Sequence, residues 1–183
     1  LRQFWIPAGC SCSAGAYVGF PANDLFGILA LESRRQHALV IGEDLGTVPP
    51  GFAEMLERWG VLSTQVLYFA RDHHGEFLPP GRYSKRAMVT VNTHDLPPLA
   101  GYWDGRDLAL RRDVGQLTSD QELAAARVRR SQERDALSRA LRREGLLGEG
   151  EAVSHADRCA AVHAFIARTP ALLVAVSLDD LAG

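Results

Sequence analysis

Several features that are scarce in this chain exclude whole classes of function. The longest apolar run, residues 171–176, is far shorter than the roughly 20 residues of a membrane-spanning helix. The net charge is only −2, with acids and bases interspersed, so no electrostatic case exists for nucleic acid or an anionic membrane as a partner.

Cysteine is equally scarce. Cys10, Cys12 and Cys159 lack the spaced Cys or His partners of a zinc site, and we expect reduced thiols in a cytoplasmic protein. The adjacent pair His73 and His74 also lacks a spaced partner, so a solvent-exposed loop is expected there. We therefore predict no metal and no cofactor.

The familiar nucleophile and nucleotide motifs are missing too. The chain has no serine elbow, no phosphate-binding glycine loop, no dinucleotide fingerprint and no Cys/His nucleophile arrangement. The residues present are better suited to catalysis by carboxylates.

Short apolar segments predict a parallel α/β sheet. Residues 39–42, 66–69 and 88–92 are separated by segments compatible with helices, and residues 171–178 form a further apolar run. Consecutive units of a (β/α)8 TIM barrel would give this order. A complete barrel needs roughly 250 residues, whereas the chain has 183 and begins without methionine, so we expect a partial barrel from a longer protein.

Local amino-acid composition divides the chain into three regions. Residues 1–103 carry the strand signals, residues 104–168 are rich in Ala, Leu, Arg and Glu and predict a helical insertion of two to four helices, and residues 169–183 hold a final, truncated barrel strand. In the first region, helices are expected at residues 25–37, with Asp24 as N-cap, and from the Pro49-Pro50 pair to a cap at Gly60.

Two acids follow predicted strands. Glu43 comes after the run at 39–42, and Asp95 follows His94 after the run at 88–92. Ligands bind at the carboxyl edge of parallel strands, so the two carboxylates should converge there, although Glu43 and Asp44 could instead be ordinary turn acids. A pair of carboxylates is the minimum equipment for cleaving a glycosidic bond. The longer glutamate suits proton donation, and Asp95 beside His94 suits hydroxyl binding and charge stabilisation.

Aromatic residues near these acids could stack on sugar rings. Tyr17 lies in a Gly- and Ser-rich segment, residues 9–23, that predicts a long loop, and Trp103 follows a segment whose two prolines should prevent regular helix. Packing of Tyr17 onto the core is the alternative. We take Tyr17, Trp103, His94 and Asp44 as candidate substrate-binding residues.

The motifs resemble a known family. Residues 41–49 (IGEDLGTVP), 93–97 (THDLP) and 99–103 (LAGYW), with 15–18 (GAYV) and 25–33 (LFGILALES) before them, are similar to the 4-alpha-glucanotransferases (amylomaltases, or disproportionating enzymes) of glycoside hydrolase family 77. The resemblance is dense to about residue 110 and thinner beyond. It implies roughly strands 5 to 8 of a catalytic barrel and malto-oligosaccharides or other α-1,4-glucans as substrates.

The resemblance also implies roles for residues. The family uses a retaining mechanism in which Glu43 would be the acid/base, Asp95 the stabilising acid and His94 a ligand of a substrate hydroxyl. The family's nucleophilic aspartate, in an Arg-Ile-Asp-His motif, matches nothing in the 183 residues, so we expect this chain alone to be inactive. Pro98 departs from the family, which usually has a hydroxyl residue there.

Two other functions stay open. An α-amylase-type glycoside hydrolase shares the barrel and its acids, although amylases more often have Asn-His-Asp where this chain has Asn92-Thr93-His94-Asp95. A noncatalytic carbohydrate-binding module that retains the motifs is the second alternative.

Overall fold

A short parallel sheet lies at the centre of the structure. The computed structural model describes residues 1–46, 48–148, 150 and 153–182. In it, β3 (Ser63–Val66), β4 (Ala87–Thr90) and β5 (Leu173–Ala175) pair side by side, all parallel and in chain order. Ile41 forms a parallel bridge with Leu62 just before β3, so the segment around Ile41 runs in the same direction as the sheet. This order matches the prediction of successive parallel strands.

The strands are shorter than the apolar runs that predicted them. Residues 66–69 were expected to be extended, but β3 ends at Val66 and Leu67–Phe69 turn into a 3-10 helix. Leu67 and Tyr68 are fully buried in that turn, which explains their apolar character without strand geometry. Likewise, the last strand covers only Leu173–Ala175 of the predicted 171–178.

Two helices flank the segment that carries Glu43. Helix α1 (Ala22–Arg35) begins earlier than predicted, with Pro21 at the N-cap, so Asp24 as N-cap was wrong. Asp24 lies in the first turn, where a carboxylate interacts favourably with the helix dipole. Helix α2 (Phe52–Trp59) ends as predicted at Gly60, which has a left-handed φ of 74° that glycine adopts without steric cost.

The two prolines after Asp95 do not prevent a helix. Helix α3 (Leu99–Asp104) begins directly after Pro98, because proline is tolerated before the first turn, where no intrahelical N–H is needed. The remaining helices are α4 (Arg106–Asp113), α5 (Asp120–Arg143), α6 (His155–Ala167) and α7 (Leu178–Ala182). The expected helical character of residues 104–168 is therefore seen in α4, α5 and α6.

The N-terminal segment forms a hairpin where a loop was expected. Strands β1 (Arg2–Trp5) and β2 (Ala16–Gly19) pair antiparallel, so the predicted loop at 9–23 was wrong over residues 16–19. Tyr17 packs edge-on against Phe4, with ring centroids 5.0 Å apart. This cross-strand pair gives the hairpin a local apolar contact of its own.

One main core joins the sheet to the helices. It contains buried side chains from β3, β4, α3, α5 and α6, including Val66, Val89, Leu99, Leu137, Leu141, Val162 and Phe165. Helices α5 and α6 thus pack in the same core as the sheet, whereas Leu108 of α4 lies in a separate small cluster with Leu117 and Ala126. In the described ranges, none of the helices is both long enough and apolar enough to cross a membrane.

Candidate functional site at the carboxyl edge of the sheet

A cavity opens at the carboxyl ends of the parallel segments. Its volume is about 530 Å³, within the range of small-molecule sites, and we call it the sheet-edge cavity. Glu43 and His94 both line it, together with polar groups that follow or lie in the strands: Thr64, Thr90, Asn92, Thr93, Ser177 and Asp179. The first predicted acid and the predicted hydroxyl ligand therefore share one concave site.

A second, larger cavity adjoins the first. It measures about 1020 Å³, and its lining includes His94, Asp95, Tyr68, Tyr102 and Glu133; we call it the loop cavity. His94 lines both cavities. The structure thus places Glu43 at one cavity and Asp95 at its neighbour, with His94 between them.

His94 and Asp95 are open to solvent. The His94 Nε2 and Asp95 Oδ2 atoms are 3.4 Å apart, and their side chains are 81% and 76% exposed. The Asp95 backbone N–H points to Thr93 Oγ1 at 3.4 Å, and the Leu96 N–H donates to the Thr93 carbonyl at 3.0 Å. These bonds make residues 93–96 a tight turn that leaves both side chains accessible.

Thr64 hydrogen-bonds the residues on both sides of Glu43. Its backbone N–H donates to Asp44 Oδ1 at 2.8 Å, and its hydroxyl donates to the Gly42 carbonyl at 2.9 Å. Asp44 lines a different cavity from Glu43, beside Glu54 and Arg86. One carboxylate oxygen of Asp44 therefore has a structural partner, and its expected role in substrate binding stays a prediction.

Tyr17 and Trp103, the two aromatic residues predicted to bind substrate, lie outside both cavities. Tyr17 is 70% exposed on the N-terminal hairpin. The Trp103 ring packs against the Arg158 guanidinium at 3.9 Å, with that of Arg134 at 6.0 Å. Neither Tyr17 nor Trp103 is among the described residues that line the two cavities. Stacking of either ring on sugar stays a prediction.

The wall of the loop cavity carries a charge network that the sequence patterns missed. Glu133 accepts hydrogen bonds from Arg71 and from the Tyr102 hydroxyl, each at 2.9 Å. Tyr102 stacks on Tyr68 with centroids 4.2 Å apart, and the Arg130 guanidinium lies 4.0 Å above the Tyr102 ring. No local pattern could have shown this, since Arg71 and Glu133 are separated by 62 positions.

This network shifts two pKa values in opposite directions. Burial raises the pKa of Tyr102, and the neighbouring Glu133 carboxylate raises it further. Burial also acts to raise the pKa of Glu133, but hydrogen bonds from Arg71 and Tyr102 outweigh it and the net pKa is lowered. Glu133 is therefore ionised and Tyr102 neutral at pH 7, as the donor and acceptor roles of their hydrogen bond require.

Metal ligation has no support in the part of the chain that the structure describes, where no cluster of three or more His, Cys, Asp or Glu side chains is placed to hold an ion. The chemistry available at the site is that of carboxylates and an imidazole. A parallel sheet flanked by helices, with cavities at its carboxyl edge, defines an α/β protein, the class in which that edge is the usual place for ligands.

Comparisons with known proteins give the family. The family model for glycoside hydrolase family 77, 4-alpha-glucanotransferase, matches residues 1–183. A 4-alpha-glucanotransferase of Mycobacterium tuberculosis is 39% identical over 189 residues, covering 100% of this chain and 26% of the relative. One from Haemophilus influenzae is 38% identical over 187 residues, covering 99% and 26%. The chain belongs to the 4-alpha-glucanotransferase family, glycoside hydrolase family 77.

Solved structures agree with this assignment. The crystal structure of amylomaltase from Corynebacterium glutamicum matches with a TM-score of 0.87 at 33% identity, over 97% of this chain and 26% of that one. Amylomaltase from Streptococcus agalactiae in complex with acarbose matches with a TM-score of 0.61 at 13% identity, over 98% and 30%, which shows similarity of fold alone. The chain thus spans about a quarter of the length of the relatives that it matches.

Proposed function

We propose that these residues form part of the active site of a 4-alpha-glucanotransferase, which transfers α-1,4-glucan segments between malto-oligosaccharides. The observation that carries the proposal is the grouping of Glu43 and His94 in the sheet-edge cavity, with Asp95 on the adjoining wall. Family membership over the whole chain supports it.

Each side chain has a role that suits its chemistry. Protonated Glu43 donates its proton to the leaving glycosidic oxygen, and the resulting carboxylate then takes the proton from the acceptor hydroxyl. Asp95 stabilises the positive charge that develops on the sugar ring in the transition state, and His94 hydrogen-bonds a hydroxyl of the same sugar.

The wider architecture follows from the same proposal. We place the parallel sheet within a (β/α)8 barrel, with residues 1–103 and 169–183 contributing barrel elements and residues 104–168 a helical insertion; the likeness to the Corynebacterium amylomaltase supports this. The thiols of Cys10, Cys12 and Cys159 are free, which is consistent with a cytoplasmic location. The third acid of the mechanism, the nucleophile, matches no motif within the 183 residues.

Substitution of the two acids tests the proposal. In the complete polypeptide that contains these residues, Glu43→Gln should lower kcat for maltotriose disproportionation by about 10² to 10⁴, the usual contribution of a general acid. Asp95→Asn should lower kcat by about 10² to 10³, since it removes a stabilising charge from the transition state. The exposed Asp135→Asn on α5 is the control and should retain full activity.

Product analysis separates the competing functions. Transfer gives a ladder of longer and shorter malto-oligosaccharides, a hydrolase gives only shorter products, and a binding module gives none. The 183-residue chain alone should release no glucose from maltotriose. Full activity of the Glu43→Gln variant would refute the assignment of the acid/base.

A further inference from the structure

A buried carboxylate lies behind the His94 and Asp95 turn, and the proposed mechanism does not use it. Asp180, in α7, is 3% exposed as a residue and its side chain is 0% exposed. A carboxylate removed from water is costly unless hydrogen bonds or a positive charge compensate it. Its only ion-pair contact among the described residues is His163 Nε2, at a distant 3.9 Å.

Hydrogen bonds from two specific donors compensate this carboxylate. The Asn92 side-chain amide donates to Asp180 Oδ1 at 3.2 Å and to Oδ2 at 3.0 Å. The Leu99 backbone N–H donates to Oδ1 at 2.6 Å. Asp180 therefore contacts the chain just after β4 and again at the first residue of α3.

These two contacts bracket the segment 93–98, which carries His94 and Asp95. Pro97 and Pro98 have no backbone N–H, so this segment can form few hydrogen bonds of its own to the rest of the fold. Leu99 supplies the first N–H after the prolines, and that N–H goes to Asp180. The Tyr68 hydroxyl adds a weaker contact, to the Pro97 carbonyl at 3.3 Å.

We propose that Asp180 is a positioning residue for glucan transfer, whose buried carboxylate fixes both ends of the turn that presents His94 and Asp95. This inference rests on the proposed function for its effect on activity. Its structural part concerns the order of the turn and is independent of the reaction.

An exchange of side chains tests the pairing in the complete polypeptide. Asp180→Asn leaves one acceptor oxygen for two donors, and Asn92→Asp places two carboxylates within hydrogen-bond distance. Each single variant should lower kcat for maltotriose disproportionation about tenfold to a hundredfold, as small displacements of catalytic groups do. The double variant Asn92→Asp/Asp180→Asn restores a donor and acceptor pair and keeps an acceptor for Leu99, so it should recover most of the lost kcat.

Two controls separate positioning from stability. Asp135→Asn removes an exposed acid on α5 and should change neither kcat nor melting temperature. Leu141→Ala opens a cavity at a fully buried position of the main core. It should lower the melting temperature while leaving kcat per folded molecule unchanged. Wild-type kcat in folded Asp180→Asn, or a double variant no more active than the single ones, would overturn the proposal.

Hydrogen exchange gives a second readout that needs no activity. The hydrogen-bonded backbone amides of Asp95, Leu96 and Leu99 should exchange about tenfold faster in Asp180→Asn than in wild type or in Asp135→Asn. If the wild-type polypeptide does not transfer glucan, the proposed function fails and exchange alone decides the role of Asp180. Unchanged exchange in Asp180→Asn would refute the positioning role even in an active enzyme.

Discussion

The charge network around Glu133 makes a quantitative prediction about stability. Glu133→Gln keeps the shape of the side chain but removes the charge that pairs with Arg71 and approaches Arg130 Nε at 3.4 Å. Hydrogen bonds to charged groups contribute about 1.5 to 3 kcal/mol each. The Arg71 and Glu133 side chains are 27% and 24% exposed, so water replaces part of the loss. We expect Glu133→Gln to lower the free energy of unfolding by about 1 to 2 kcal/mol at pH 7.

The same change should flatten the dependence of stability on pH. Because the pKa of Glu133 is lower in the folded protein than its ordinary value of 4.5, the folded state favours the carboxylate. Its contribution to stability is then fully present above the unfolded pKa and is lost as the pH falls through the folded pKa. The difference between wild type and Glu133→Gln should therefore be largest above about pH 5 and should shrink below pH 4.5.

Urea unfolding followed by circular dichroism at pH 7 and at pH 3 measures both effects. The control is Asp135→Asn, an exposed acid on the same helix, for which the pH profile should follow that of wild type. Equal stability of wild type and Glu133→Gln at pH 7 would refute the reasoning. So would a difference that stays constant down to pH 3.

Further substitutions probe the other contacts. Asp44→Ala leaves the buried Thr64 N–H without its acceptor and should lower the free energy of unfolding, measured with urea, by about 1 to 3 kcal/mol. It should also lower kcat, because Glu43 is the adjacent residue. Phe165→Ala, at a fully buried core position, should cost about 3 to 5 kcal/mol by the same assay. Burial raises the pKa of the Cys159 thiol, and nearby Asp180 raises it further, so a thiol reagent at pH 8 should label Cys10 and Cys12 quickly and Cys159 only on unfolding.

The positions of the site residues were predictable from sequence to the extent that they follow strands. Glu43 and His94 reach one cavity because the carboxyl ends of parallel segments share an edge, which an apolar run ending in polar residues indicates. The family motifs could add expected roles but not contacts. For example, the Asp44 carboxylate accepts a hydrogen bond from the Thr64 N–H because the segment around Ile41 pairs with the residues just before β3. No motif encodes that pairing.

Contacts between distant parts of the chain could not be predicted from local sequence patterns. Trp103 packs on Arg158, and Asp180 bonds Asn92, because helices distant in sequence share one core with the sheet. The prolines at 97 and 98 were predicted to prevent helix, yet a helix starts right after them, since proline disfavours only the interior and later turns. Such outcomes depend on tertiary packing, which propensity alone does not determine.

The bond between Asn92 and Asp180 also has a consequence for biosynthesis. The two residues are separated by 88 positions, so the loop that carries His94 leaves the ribosome long before its anchor does. Contacts between distant positions form late, because chain entropy is lost before they are made. We expect nascent chains halted before residue 180 to carry this loop unanchored, and the turn at residues 93–96 to become fixed only after residue 180 has left the ribosome.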